Sequence, residues 1–255
     1  MIYPKKGKWQ VQIVKNKYPA FVHRKVCAEI FKNGLYKIAE GIGYHELVIT
    51  REHCKNFPHL SRAVANLVFK SFQERYREMI KDPCLSYVSI FHNWGQKAGA
   101  SIYHPHYQVI ATPVIPSEIS HSLEGSFSFF QKNKKCVHCE MIKWEKKIGR
   151  RIVYENKGAV VLSPFAPAAP YELRVFPKKH LSYFENTNQK DLEFVIDALQ
   201  KSLAKIEKKL KDPDYNFFIH TSPLKNKEKH KHYHWHIEIL PKIEIPGAFG
   251  YSTGM

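Results

Sequence analysis

His104-Pro105-His106-Tyr107-Gln108 sets two imidazoles one residue apart, behind the glycine-bearing approach Gly95 to Ser101. A second alternating run, His232-Tyr233-His234-Trp235-His236-Ile237-Glu238, follows far downstream. In an extended strand alternate side chains share a face, so His104, His106 and Gln108 point one way, as do His234, His236 and Glu238. Paired imidazoles on a stiff strand can divide the work, one holding a metal and the other attacking phosphorus. The third feature is a close thiol pair, Cys136 and Cys139, the only two cysteines of five with metal-ligand spacing. Such a C-x-x-C in a reducing compartment points to metal or redox chemistry. A buried strand should lead into a thioredoxin-type pair, and the polar Lys134-Lys135 here disfavours that reading. Cys27, Cys54 and Cys84 stand alone in sequence.

The elements that must carry these residues recur. Glu46 to Ile49 reads as a strand followed closely by His53, and Glu172 to Phe176 as a strand followed closely by His180. After each histidine comes a stretch with helical apolar spacing, Leu60 to Ile80 and Gln189 to Leu210. Both stretches meet the same stop, Lys81-Asp82-Pro83 and Lys211-Asp212-Pro213, because proline cannot continue a helix. Asp82 precedes His104 by 22 residues, and Asp212 precedes His234 by the same interval. Strand, histidine, helix, Asp-Pro and paired histidines in one order define an internal duplication. The expected fold is α+β: two tandem repeats, each an antiparallel meander with one long helix. The boundary is expected near Pro113 to Pro116, giving units 1–115 and 116–255. A connecting helix or loop, Ser117 to Lys135, leads to the cysteine pair.

The repeat assembles a metal set. Cys136 and Cys139 supply two thiolates, and His180 and His234 two imidazoles, a closed tetrahedral set suited to structural Zn²⁺. His232 competes with His234, but the 22-residue interval places His234 opposite His104. His220 and His230 read as solvated. The matching first-half site would use His53 and His104, with no cysteine pair to complete it. Ile152 begins a strand resembling Trp9 to Val14, so the equivalent cysteines would fall before Met1.

With 255 residues and 44% hydrophobic content, the chain can bury a sizeable core. No apolar run is long enough to cross a membrane and no signal-peptide core opens the chain, so a cytoplasmic location is expected. The formal charge of +17 favours phosphate-bearing partners. Charge runs such as Lys205 to Lys211 are ordinary solvated helix faces, so charge alone does not name the partner.

Asn93, Gly95, Gly99, Ser101, His104-Pro105-His106 and Gln108 resemble the active-site segment of galactose-1-phosphate uridylyltransferases, a branch of the histidine-triad superfamily. Trp9 to Phe21, including Asn16, is similar to that family's first nucleotide-binding strand, and Gly247 to Tyr251 to its C-terminal sugar-binding segment. Family chains normally continue past both ends of this one. The resemblance implies transfer of a nucleoside monophosphate, UMP above all, between sugar 1-phosphates. His106 would be the nucleophile. Gln108, in place of a third histidine, would hold a phosphate oxygen without protonating it. Asn16, Asn93, Gly99 and Ser101 would contact substrate, with backbone amides around Gly99 holding phosphate oxygens. Tyr107 and Trp94 depart from the pattern and would alter the base or sugar pocket. Nucleotide sugars and sugar 1-phosphates are the expected partners, and a homodimer is plausible by precedent. Nucleic acid is disfavoured, since a hydrolytic triad would want histidine at position 108. Two other readings remain open: a phosphorylase acting on an ADP-sugar or dinucleoside polyphosphate, and a non-catalytic zinc module that binds phosphate-rich partners.

Overall fold

The computed structural model describes residues 1–243; Gly247 to Tyr251 lie outside the described residues. Twelve strands and four helices alternate along it. The first half holds β1 (Ile2–Tyr3), β2 (Val11–Lys15), β3 (Ile30–Asn33), β4 (Tyr36–Ala39), β5 (Tyr44–Thr50), α1 (Arg62–Met79), β6 (Tyr87–Trp94) and β7 (His106–Thr112). Two helices, α2 (Ser117–Asn133) and α3 (Val137–Ile148), then connect to the second half. There follow β8 (Ile152–Glu155), β9 (Ala159–Leu162), β10 (Leu173–Pro177), α4 (Gln189–Leu210), β11 (Tyr215–His220) and β12 (His236–Pro241). None of the described helices is long and apolar enough to cross a membrane.

Ten strands form one antiparallel sheet in the order β1-β2-β5-β7-β6-β11-β12-β10-β9-β8, and β3-β4 make a separate hairpin. The order reads alike from both edges inward, so the halves are related across the β6–β11 seam. Each half differs from the expected meander. In the first, α1 carries the chain from β5 to the inner strand β6, and β7 returns into the gap between them. Pairing also corrects the strand correspondence: β9 pairs with β10 as β2 pairs with β5, so the counterpart of β2 is β9, and the strand beginning at Ile152 matches β1 instead.

Local chemistry explains the two long helices. Ser61 caps α1 by accepting from the Val64 amide, and Asn188 caps α4 by accepting from that of Asp191. At the other end of α4, Lys211 and Asp212 both take positive φ just ahead of Pro213. Leu192, Val195, Leu199 and Leu203 are fully buried along one stripe of α4. They join Val68, Phe69 and Phe72 of α1 in a single core spanning both halves. Each such side chain contributes roughly 1.5–3 kcal/mol by leaving water.

Strand alternation then assigns faces. Val88, Ile90, His92 and Trp94 of β6 are buried on the side of α1, while Ser89, Phe91 and Asn93 are half-buried on the other. Helices α2 and α3 pack on that other side, over the second half. Ile119 and Leu123 of α2 cluster with Tyr87 and Tyr233, and the hydroxyls of Ser122 and Tyr233 lie 3.1 Å apart. Cys27 and Cys84, isolated in sequence, form a disulfide that ties the loop before β3 to the turn after α1. Sequence spacing gave no sign of this pairing; only folding brings residues so far apart in the chain together.

Candidate active site

His106 opens β7 with its ring 6% exposed on the face opposite α1. Its Nδ1 lies 2.9 Å from the His104 carbonyl, which accepts only a proton and so fixes Nδ1 as the N–H. The Nε2 lone pair is thereby left available, the state required of a nucleophile. Pro105 stiffens this link. Tyr107, next along the strand, points the other way and is fully buried against Phe57, Phe72 and His92. Trp94 likewise faces the helix side, near His92. Neither side chain lines the reacting face, so the expectation that they reshape a base or sugar pocket is corrected by strand parity.

Gln108 sits two residues on from His106, on the same face, and its Oε1 is 2.8 Å from His45 Nε2. Sequence reasoning missed His45; it shares this face only through the β5–β7 register, which pairs Leu47 with Gln108 and Ile49 with His106. Asn16 comes to the same place, its Nδ2 within 3.0 Å of the His45 ring. Asn93 is held from the second half, since Asn216 donates to its Oδ1 at 2.9 Å. Between Asn93 and His104 a short turn forms on Gly95 and Gly99, both at positive φ. Inside that turn the amides of Ala98, Gly99 and Ala100 bond to the carbonyls of Gly95 and Gln96. Those three amides therefore close the turn itself. Ser101, just beyond, is exposed.

His104 precedes β7 and does not lie in it. Its Nδ1 is 2.8 Å from Nδ1 of His53, and its Nε2 donates to the Thr50 carbonyl at 2.7 Å. The two residues expected to share a first-half metal are thus brought together, with ring nitrogens facing each other.

The second-half set is more complete. One ligand atom from each of Cys136, Cys139, His180 and His234 lies within 4.8 Å of all the others. Cys139 Sγ is 3.4 Å from Nδ1 of both His180 and His234. The far nitrogens donate to backbone carbonyls, His180 Nε2 to Lys231 and His234 Nε2 to Pro177, so both Nδ1 lone pairs face the sulfurs. This carbonyl-backed arrangement is the usual orientation of metal-ligating histidine. A hydrogen bond from Cys139 holds the Cys136 thiol far below the usual range, while Cys136 in turn raises Cys139. One proton shared between two sulfurs, with imidazoles alongside, is a donor set that fits Zn²⁺. His220, His236 and Glu238 form a second group within 4.8 Å, lining a cavity of about 720 Å³ under α2. There Arg174 Nε already holds a Glu238 carboxylate oxygen at 3.1 Å. His236 repeats the His106 arrangement, its Nδ1 being 3.1 Å from the His234 carbonyl.

The geometry so far describes a duplicated sheet in which one copy presents an imidazole with a free Nε2 beside a side-chain amide. Known proteins share the fold. Residues 5–116 match the family model described as galactose-1-phosphate uridyl transferase, N-terminal domain, and residues 135–245 match scavenger mRNA decapping enzyme C-term binding. An ADP-glucose phosphorylase from Arabidopsis thaliana is 30% identical over 96% of this chain and 70% of its own. A galactose-1-phosphate uridylyltransferase from Thermotoga maritima is 27% identical over 76% of this chain, which spans 60% of that enzyme's length. The crystal structure of an Arabidopsis thaliana ADP-glucose phosphorylase with bound ADP-glucose superposes with a TM-score of 0.87 at 28% identity, covering 99% of this chain and 79% of that one. A uridylyltransferase structure gives 0.86 at 26% identity, covering 98% and 80%. The chain belongs to the galactose-1-phosphate uridylyltransferase family, a family of nucleotidyltransferases.

Proposed function

We propose that the protein moves a nucleoside monophosphate from a nucleotide sugar to a second phosphate-bearing acceptor through a covalent nucleotidyl-His106. The observation that carries this reading is the His106 ring, whose Nδ1–H is held by the His104 carbonyl so that Nε2 carries the lone pair. In the first step Nε2 forms a bond to the α-phosphorus, and the bond from that phosphorus to the bridging oxygen breaks. Hexose 1-phosphate leaves with the electron pair. The imidazole becomes cationic, and the His104 carbonyl on its Nδ1–H stabilises that charge. In the second step an acceptor phosphate oxygen attacks the same phosphorus, the N–P bond breaks, and neutral imidazole returns. Splitting one displacement into two lowers each barrier. Gln108 offers hydrogen bonds without a transferable proton, which favours transfer to a phosphate over hydrolysis by water. Asn16 and Asn93 border the same face, and with Ser101 would contact the nucleotide.

Cys136, Cys139, His180 and His234 would hold Zn²⁺, a closed four-ligand site whose contribution is structural. His53 and His104 would form the remnant of its first-half counterpart. We place the units at 1–115 and 116–255, with chemistry in the first and the metal in the second. The 30% identity to an ADP-glucose phosphorylase over nearly the whole chain favours a second reading, with an ADP-sugar as donor and inorganic phosphate as acceptor.

Intact-protein mass spectrometry separates the readings. Incubation with UDP-glucose or ADP-glucose is expected to add one uridylyl or adenylyl group, lost in His106→Ala. Chasing the adduct with galactose 1-phosphate or inorganic phosphate identifies the acceptor. Unmodified wild-type protein with both donors would overturn the proposal.

A further inference from the structure

We infer that His45 is a positioning residue for Gln108, locking the glutamine amide with its NH₂ group toward the nucleotide phosphate. The inference deepens the transfer reading above and rests on it.

Three groups surround the His45 ring, and one of them cannot be reinterpreted. The backbone amide of Ala20 lies 3.0 Å from Nδ1, and a backbone N–H only donates. Nδ1 must therefore be the lone-pair nitrogen. A neutral imidazole then carries its proton on Nε2, so Nε2 can only donate. Gln108 stands 2.8 Å from Nε2, and the atom that faces it must accept. Which end of a glutamine amide is oxygen is ordinarily ambiguous; here the Ala20 amide decides it through the imidazole. The third group is itself a donor and competes with this assignment, which rests on the Ala20 amide alone. Asn16 Nδ2 is 3.0 Å from Nε2 and 3.5 Å from Nδ1, close to both nitrogens at once, as an amide lying across the ring would be. It cannot donate to Nε2, because two accepting nitrogens would require an imidazolate. Asn16 is itself fixed, its Oδ1 accepting from the Tyr18 amide at 3.0 Å.

The chemical consequence follows from the role of position 108. With Oε1 bonded to His45, the free end of Gln108 is a donor. A donor beside His106 stabilises negative charge on the phosphate oxygens as the N–P bond forms. The opposite flip would set a carbonyl dipole against that charge. His45 touches no reacting atom and acts only through Gln108.

The test measures the single-turnover rate of His106 nucleotidylation by UDP-glucose and ADP-glucose. His45→Phe is expected to lower that rate about 100-fold, the scale of losing one oriented donor, with little change in half-saturating donor concentration. His45→Gln keeps a side-chain N–H and should recover part of the loss. A purely structural role would instead lower rate and binding together in both variants. The decisive comparison is His45→Phe made in a Gln108→Ala background, where it should cost nothing further. In ¹⁵N-histidine spectra the signal lost in His45→Phe should show the Nε2–H tautomer. A wild-type adduct that forms equally fast in His45→Phe, or a full further loss in the double variant, overturns the role of His45. No adduct in wild-type protein overturns the transfer reading, and this role with it.

Discussion

Tyr107 shows how far a single position can mislead when its neighbours are catalytic. It sits between His106 and Gln108, yet its ring is fully buried beneath α1 and its hydroxyl meets no hydrogen-bond partner. Removing that stranded hydroxyl should help the fold. Tyr107→Phe is expected to raise stability by about 1 kcal/mol and leave His106 nucleotidylation unchanged. Chemical denaturation beside the adduct assay checks both halves; a stability loss would mean that the hydroxyl is satisfied after all. At this scale the sequence is legible where chemistry and spacing coincide: the intervals that single out Cys136, Cys139, His180 and His234 mark residues whose ligand atoms converge, whereas the part given to Gln108 comes from the family resemblance. His45 was not legible, because its partner is chosen by strand register, and no local pattern marks the pairing of β5 with β7.

Among elements, the turn between β6 and β7 governs the approach to His106. Gly95 has φ +82°, and a Cβ added there would fall 2.0 Å from Asp214 Oδ1. Asp214 in turn accepts from the Lys97 amide at 2.6 Å, so the turn is pinned from the second half. Gly95→Ala must displace this carboxylate in addition to straining the backbone. The expected result is at least a ten-fold weaker apparent affinity for the nucleotide sugar with a smaller change in melting temperature, roughly the signature of a misplaced binding loop. Equal donor titrations for wild type and variant would refute it. The two long helices α1 and α4 were legible to within two residues, since apolar period and Asp-Pro stops are local; α2 reads as either helix or loop, and α3 was not foreseen. Strand order was not. Which strand fills the gap left by α1 depends on long-range burial, and the meander expectation failed on that point.

For the molecule as a whole, one disulfide and one set of metal-type ligands bring distant segments together. The Cys27–Cys84 disulfide closes 57 residues of chain, and the chain-entropy model assigns such a loop on the order of 4 kcal/mol. Thermal melts with and without reductant should therefore differ by several degrees, and Cys27→Ser should remove the difference. The metal set supports the opposite edge of the sheet. Cys136→Ser is expected to lose one equivalent of zinc by elemental analysis and to melt lower, whereas His53→Ala should leave that equivalent bound. Zinc retained in Cys136→Ser would exclude the four-ligand set. The duplication itself was visible in the matched intervals, but the fusion of both copies into one sheet was not. It depends on β6 and β11 pairing across the seam, where two Asn side chains meet.

Helix α2 does more than carry the chain from one copy to the other. Laid over Tyr87 and Tyr233, it shuts the strand of His236 beneath a ceiling, while the strand of His106 receives no such cover from it. Two near-identical imidazoles thus live under different rules. The connector thus gives two matching histidine strands different surroundings, one facing a cavity of about 720 Å³ that the helix roofs and the other left clear of it.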